Sequence, residues 1–142
     1  MAYCTLDDIK GLLNTEIIMQ LTDDENAGAI VESRVIAAIV DADAEIDGYC
    51  GVRYTVPFSS VPALIKKLSV DIAIYNLYSR KVDEVPEARK DRYNAAIVKL
   101  KDISKGIVRL DATEEKTESS NEVISNKDDD DRIFTSDSMG GF

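Results

Sequence analysis

Apolar residues recur through most of this chain at intervals of three and four. Val35, Ile39, Ala42, Ile46 and Tyr49 follow that spacing and predict a helix from about Ile30 to Tyr49. Glu32, Arg34, Asp41, Asp43, Glu45 and Asp47 fall mostly off the stripe, as a solvated acidic face. Leu64, Leu68, Ile72, Tyr75, Leu77 and Tyr78 predict a second helix ending near Arg80. Tyr93, Ala96, Ile97, Leu100 and Ile103 predict a third. Two shorter helical pieces come first, one starting at Leu6 with Gly11 in its middle and one over Glu16 to Leu21, the latter offering Ile17, Ile18 and Leu21 to the core.

The boundaries carry their own chemistry. Thr5 can cap the free amides of the first helix, and Asp7 and Asp8 face its positive end, while Gly11 weakens its middle. Thr22 to Gly28 reads as a polar loop. Gly48 and Gly51 are expected to stop the long helix by adopting left-handed backbone. Pro62 and Pro86 open the next two helices, where a missing amide costs nothing. Gly106 caps the last, and Val108 and Leu110 pack back as a brief extended piece. Between them Val52, Tyr54, Val56 and Phe58 alternate with Arg53, Thr55 and Pro57 as a strand-like segment with one apolar face, which Pro57 confines to an edge or extended loop. The expected architecture is all-α: four or five helices with one extended corner over residues 1–110, then a flexible arm over 111–142.

Composition sharpens this picture. Hydrophobic residues make up 44% of the 142, without tryptophan, so the core is built mainly of Ile, Leu, Val and Ala. No run approaches the ~18 apolar residues of a membrane span. The opening MAYCTLDD lacks the basic and apolar regions of a secretory signal, so the protein is expected to be soluble and intracellular when made. Residues 111–142 carry ten acids against three bases, which places most of the formal charge of −10 there. Phosphate capture needs clustered Lys and Arg, so nucleic-acid binding is not expected. The absence of histidine removes Ser-His and Cys-His catalysis and the usual zinc ligand. Cys4 and Cys50 read as buried or semi-buried free thiols. No enzyme activity, cofactor or metal is expected.

Asp41, Asp43, Glu45 and Asp47 superficially suggest a calcium loop, but an EF-hand would need Gly where Ile46 stands and Glu where Val52 stands. Asp128 to Asp131 reads as a self-repelling spacer. Lys66-Lys67 and Arg89-Lys90-Arg92 read as solvent-facing, or as contacts for an acidic neighbour. Gly48, Tyr49, Gly51, Arg53 and Tyr54 form a structural corner in which Arg53 ties loop carbonyls or an acid. Arg132, Ile133, Phe134, Met139 and Phe142 put an apolar load on a chain end, which points to docking on a partner or neighbouring subunit.

Three stretches in order, MAYCTLDDIK, DADAEIDGYCGVRYTVPFSSVPALIKKLSVDIAIYNLYSRK and RIFTSDSMGGF, resemble small Mu-like tailed-phage and prophage proteins of the head-to-tail connector group. The resemblance covers residues 1–110 and the last eleven, not the tract between. It implies a helical adaptor or head-completion protein that forms a ring of about twelve subunits under the portal, closed by heterologous contacts. Arg132 to Phe142 would then reach onto the portal, and a downstream tail or stopper protein would follow. DNA would pass through the channel without specific binding, and no membrane would be involved. The implied location is the virion head–tail junction, after assembly in the host cytoplasm. A small regulatory module that binds a host partner through its tail is the first alternative. A metal-dependent hydrolase using the Asp41–Asp47 acids is the second.

Overall fold

The first helix starts where its cap predicts. Thr5 Oγ1 accepts the Asp8 N–H at 3.3 Å, and the Asp8 carboxylate accepts the Thr5 N–H at 2.9 Å, a reciprocal capping box. The computed structural model describes residues 2–80 and 84–110. These contain α1 (Leu6–Lys10), α2 (Thr15–Thr22), α3 (Glu32–Cys50), α4 (Ala63–Ser79) and α5 (Glu87–Ser104). No β-strand forms among the described residues, and the expected all-α class is what the chain adopts.

Several boundaries differ from the expectation. Gly11 ends α1 as its C-cap instead of weakening its middle, with its N–H returning to the carbonyls of Asp7 and Asp8. Thr22 belongs to α2, not to the polar loop. It is fully buried, donates to the Ile18 carbonyl at 2.9 Å and accepts the Val31 N–H at 3.1 Å. Pro62 and Pro86 sit one residue earlier than expected, as extended N-caps of α4 and α5. Their fixed φ suits that position as well as the first turn.

The core lies where α3, α4 and α5 meet. Val35, Ile39, Ala42 and Ile46 are buried, and α3 packs against both later helices. From α5, Ala96, Leu100 and Ile103 are buried, as the stripe predicts. The two outer helices thus show one apolar face each. Helix α4 does not. Its residues from Leu68 to Ile74 are all buried, including Ser69 and Asp71, and Ile65 rather than Leu64 is its deepest early residue. A helix contacted from several sides is apolar nearly all round, and α4 touches α1, α2, α3 and α5. The first two helices lie across this trio, contributing Ile9, Ile18 and Leu21.

Two arginines fasten α2 to the bundle. Arg34 donates to the Thr22 carbonyl and Arg80 to the Leu21 carbonyl, each at 2.7 Å. Both are thus cations on the negative end of α2. Asp24 bridges them, at 3.4 Å from Arg34 and 3.0 Å from Arg80. The following loop is stitched by Asp23, whose carboxylate accepts the N–H groups of Ala27 and Gly28 at 2.8 and 2.6 Å.

Burial ranks the expected costs of truncation. Ile72→Ala or Leu100→Ala should each destabilise by about 2–5 kcal/mol, the range for deleting a buried aliphatic side chain. Val98→Ala, on the exposed face of α5, should stay within about 0.5 kcal/mol. Urea unfolding of the three variants checks this, and equal midpoints would refute the assigned core.

Candidate functional site

The corner after α3 is built from both chain directions. Gly48 lies inside the last turn of α3, exposed, with open space around its Cα. Gly51 is the C-cap, and its backbone is right-handed, at φ −63°. The expected left-handed stop is therefore corrected. What Gly51 provides is room, since a Cβ there would lie 2.9 Å from the Asp47 carbonyl and 3.4 Å from Val56. Tyr49 packs half-buried against the core. Val52 is exposed, so only Tyr54, Phe58 and in part Val56 form the apolar side of the segment. The strand-like reading gives way to turns, in which those side chains still point inward.

Arg53 and Tyr54 reach the far end of the domain. Helix α5 ends in a Schellman motif: the Ile107 N–H returns to Asp102 at 2.9 Å and the Gly106 N–H to Ile103 at 3.1 Å. Gly106 takes φ +82°, and the Arg53 guanidinium lies 3.0–3.2 Å from where its Cβ would stand. Arg53 thus lies over the C-terminus of α5, where a cation suits the helix dipole. Tyr54 is buried, and its hydroxyl accepts the Leu110 N–H at 2.9 Å. Leu110 is buried too, so the expected return of this segment is observed.

A polar cluster that the sequence reading did not anticipate joins this corner to the chain start. Asp43 was placed on the solvated acidic face, yet it is only 8% exposed. Its carboxylate accepts the Tyr3 N–H at 3.0 Å and the Ser69 hydroxyl at 2.9 Å. Tyr3 donates its own hydroxyl to Asp47 and accepts the Phe58 N–H at 3.1 Å. Its ring meets Phe58 at 5.7 Å between centroids, and Phe58 meets Tyr54 at 6.1 Å. Burial pushes the Asp43 carboxyl up, while the bonds from Tyr3 and Ser69 draw it back down. Burial, with the Asp47 bond second, raises the Tyr3 phenol. The signal that existed was Tyr3 beside the predicted cap and Ser69 inside an apolar run; nothing in the spacing paired them with Asp43.

Both thiols are buried and free, as expected. Burial raises Cys4 to about 11 and Cys50 to about 12, so both stay protonated near neutrality. Among the described residues, no group of three or more His, Cys, Asp or Glu converges in a metal-ligand arrangement. Lys66, Lys67 and Arg92 of the basic spots find acids within the chain. Lys66 pairs with Asp8 at 3.3 Å and Lys67 with Asp71 at 3.1 Å, while Arg92 lies 3.7 Å from Asp71. Arg89 donates to the Leu12 carbonyl at 3.1 Å. Among the described residues, no helix is long and apolar enough to cross a membrane. Arg132, Ile133, Phe134, Met139, Phe142 and the Asp128–Asp131 run lie outside the described residues.

A family model described as Bacteriophage Mu, Gp36 matches residues 3–127. The chain belongs to this Mu-like phage family. It is also 31% identical over 108 residues to the Mu-like prophage FluMu protein gp36 of Haemophilus influenzae, covering 76% of this chain and 74% of that protein. The Mu Gp36 match takes in all five helices, the corner and both partners of the Tyr54–Leu110 bond. It extends through most of the acidic tract and stops before the last eleven residues.

The polar cluster and the corner each carry a prediction. A carboxyl whose folded pKa is raised holds its proton more tightly when folded, so its contribution to stability falls as pH rises from the ordinary value of 3.8. The stability of the parent relative to Asp43→Asn should therefore decline as pH rises above that ordinary value. Thermal melts of both across that range decide it, and a difference that grows with pH would reject the buried-carboxyl assignment. Gly106→Ala combines a left-handed backbone with the Arg53 contact and should cost at least about 1 kcal/mol in denaturant unfolding, whereas Gly48→Ala should be neutral or stabilising.

Proposed function

We propose that this chain is a structural virion protein that joins a DNA-filled head to a tail as a ring beneath the portal. Membership of the Mu-like phage family is the observation that carries the reading, because it places the chain among phage proteins. The use of its polar groups supports it further. Asp43, Asp47, Asp71 (with Arg92 of α5), Arg34 and Arg80 all hold helices or termini together inside one chain. Such a unit behaves as a rigid block, which suits an adaptor.

In this reading residues 1–110 form the block and 111–142 form an arm. The arm carries the apolar and basic groups Arg132, Ile133, Phe134, Met139 and Phe142, which bury large apolar area in a partner pocket on the portal. The excess of acid over base also lets DNA slide through a channel without phosphate capture. A tail or stopper protein takes the opposite side of the ring, at the head–tail junction of the virion.

Deleting Arg132 to Phe142 in the phage tests the arm, and a null allele tests the role. The null should accumulate DNA-filled heads beside free tails in electron micrographs. The truncation should give the same phenotype while the purified protein keeps its circular dichroism and melting temperature. Normal virions from the null would overturn the connector reading. Normal virions from the truncation alone would move the portal contact onto the helical block.

A further inference from the structure

We infer that Ile133 and Phe134 of the C-terminal segment seat in the groove between α3 and the chain start of the same molecule, with Arg132 at the groove's acidic edge. The contact lies inside one chain, so it goes beyond the ring reading and does not depend on it.

The groove has a volume of about 380 Å³ and runs between residues 2–7 and the first half of α3. Leu6, Val35 and Ile39 line it, together with Ile36 and Val40, which stand one helical turn apart and are 57% and 56% exposed. No described element of the chain covers that pair. Exposed β-branched residues beside an apolar groove make a contiguous patch, unlike the scattered apolar residues of an ordinary surface.

The charges between this groove and the chain's exit follow an order. Arg109 and Leu110, where the described chain ends, share a cleft with Ser60 to Leu64 at the start of α4. Lys66 and Lys67 come next along α4, with side chains 54% and 65% exposed. Lys66 reaches Asp8 of α1 at 3.3 Å. Asp7, the neighbour of Asp8, lines the groove with Glu32, and both are exposed. From exit to groove the surface therefore reads base, acid, apolar. The sequence beyond residue 110 carries the complement in the same order: Asp128 to Asp131, then Arg132, then Ile133 and Phe134. The aspartates meet Lys66 and Lys67, Arg132 meets Asp7 and Glu32, and the apolar pair meets the apolar lining. Complementary charge of this kind sets register, because a slip would put the four aspartates against Asp7 and Glu32.

The length of chain fits as well. Val40 and Ile36 lie about 15 and 21 Å along α3 from its end at Cys50, at 1.5 Å per residue. Tyr54 holds Leu110 at that end, with its own N–H on the Cys50 carbonyl. Residues 111–131 tether Arg132 to this point, and a tether of that length spans roughly 25 Å even as a random coil. A tether whose mean reach matches the gap gives the highest effective concentration, which favours the groove of the same molecule over that of another. Seated there, Phe134 and the Ile36–Val40 pair cover each other's apolar surface. A partner that takes this segment, the portal in the reading above, first has to draw it off the groove.

Fluorescence tests this, because the chain has no tryptophan and Phe134→Trp introduces a single one. In dilute full-length protein its emission should lie to the blue of the same substitution in an isolated peptide of residues 132–142. Val40→Lys should move it to the peptide's value and raise acrylamide quenching several-fold. Val40 is exposed, so circular dichroism should match the parent; if Val40→Lys fails to fold, Ile36→Lys marks the same lining. Arg132→Glu should move the emission part of the way. Emission that equals the peptide's without any groove substitution overturns the inference, as does blue emission that survives both groove substitutions. Emission indifferent to Arg132→Glu overturns the register given to the segment. Burial that fades on dilution, with dimers in sedimentation velocity, assigns the segment to the groove of a second copy and overturns the contact within one chain.

Discussion

The buried carboxylate of Asp43 is the constraint on which the rest of the fold turns. A carboxylate leaves water only where donors replace its hydration, and here the donors come from two distant places. The Tyr3 N–H fixes the chain start and the Ser69 hydroxyl fixes the middle of α4, forty and twenty-six residues away. With Tyr3 held, its hydroxyl reaches Asp47 and the Phe58 N–H, so the corner after α3 is held as well. One helix face thus orders the N-terminal segment, the central helix and the turn that follows it. Stacked Tyr75 and Tyr93, 4.0 Å apart, close the other side, with the Tyr93 hydroxyl on Glu45.

Local rules located the helices well, because each start and stop is written in neighbouring residues. Thr5 and Asp8 define α1 within four positions, and the Val35–Ile46 and Ala96–Ile103 stripes define one-sided burial. The same rules misjudged Asp43. Its place in the sequence, next to Ala42 on the stripe, is compatible with either side of the helix edge. Only the arrival of Tyr3 and Ser69 decides which side it takes. Helix α4 was legible as a helix but not as the centre of the bundle. Its buried Ser69 and Asp71 look like surface residues until their partners are known. Gly51 and Gly106 show the opposite case. Both were recognised as helix ends, but one serves by lacking a side chain and the other by its backbone sign. Arg53 was singled out for its corner, yet its destination at α5 lies more than fifty residues onward and leaves no local mark.

A division of labour runs through the molecule. Charged groups that could have met solvent are spent on internal fastening. Arg34 and Arg80 complete the end of α2, and Lys67 and Arg92 flank Asp71. What faces outward on α3 and α5 is a few aliphatic side chains, Ile36, Val40 and Val98. A protein of the Mu-like family built this way keeps its shape by polar bonds and presents its apolar surface elsewhere.

The Schellman turn at Gly106 and the Tyr54–Leu110 bond have a mechanical consequence. Residues from 111 onward depart from a point pinned twice, by Arg53 over the turn and by Tyr54 at the last described residue. A pull on that end meets the Tyr54–Leu110 bond and the Arg53 contact at Gly106 before it reaches the last turn of α5. Helix α5 is thereby shielded from being unravelled from its C-terminus. The load passes first to Tyr54, whose ring meets Phe58, which in turn packs on Tyr3 and donates its N–H to the Tyr3 hydroxyl.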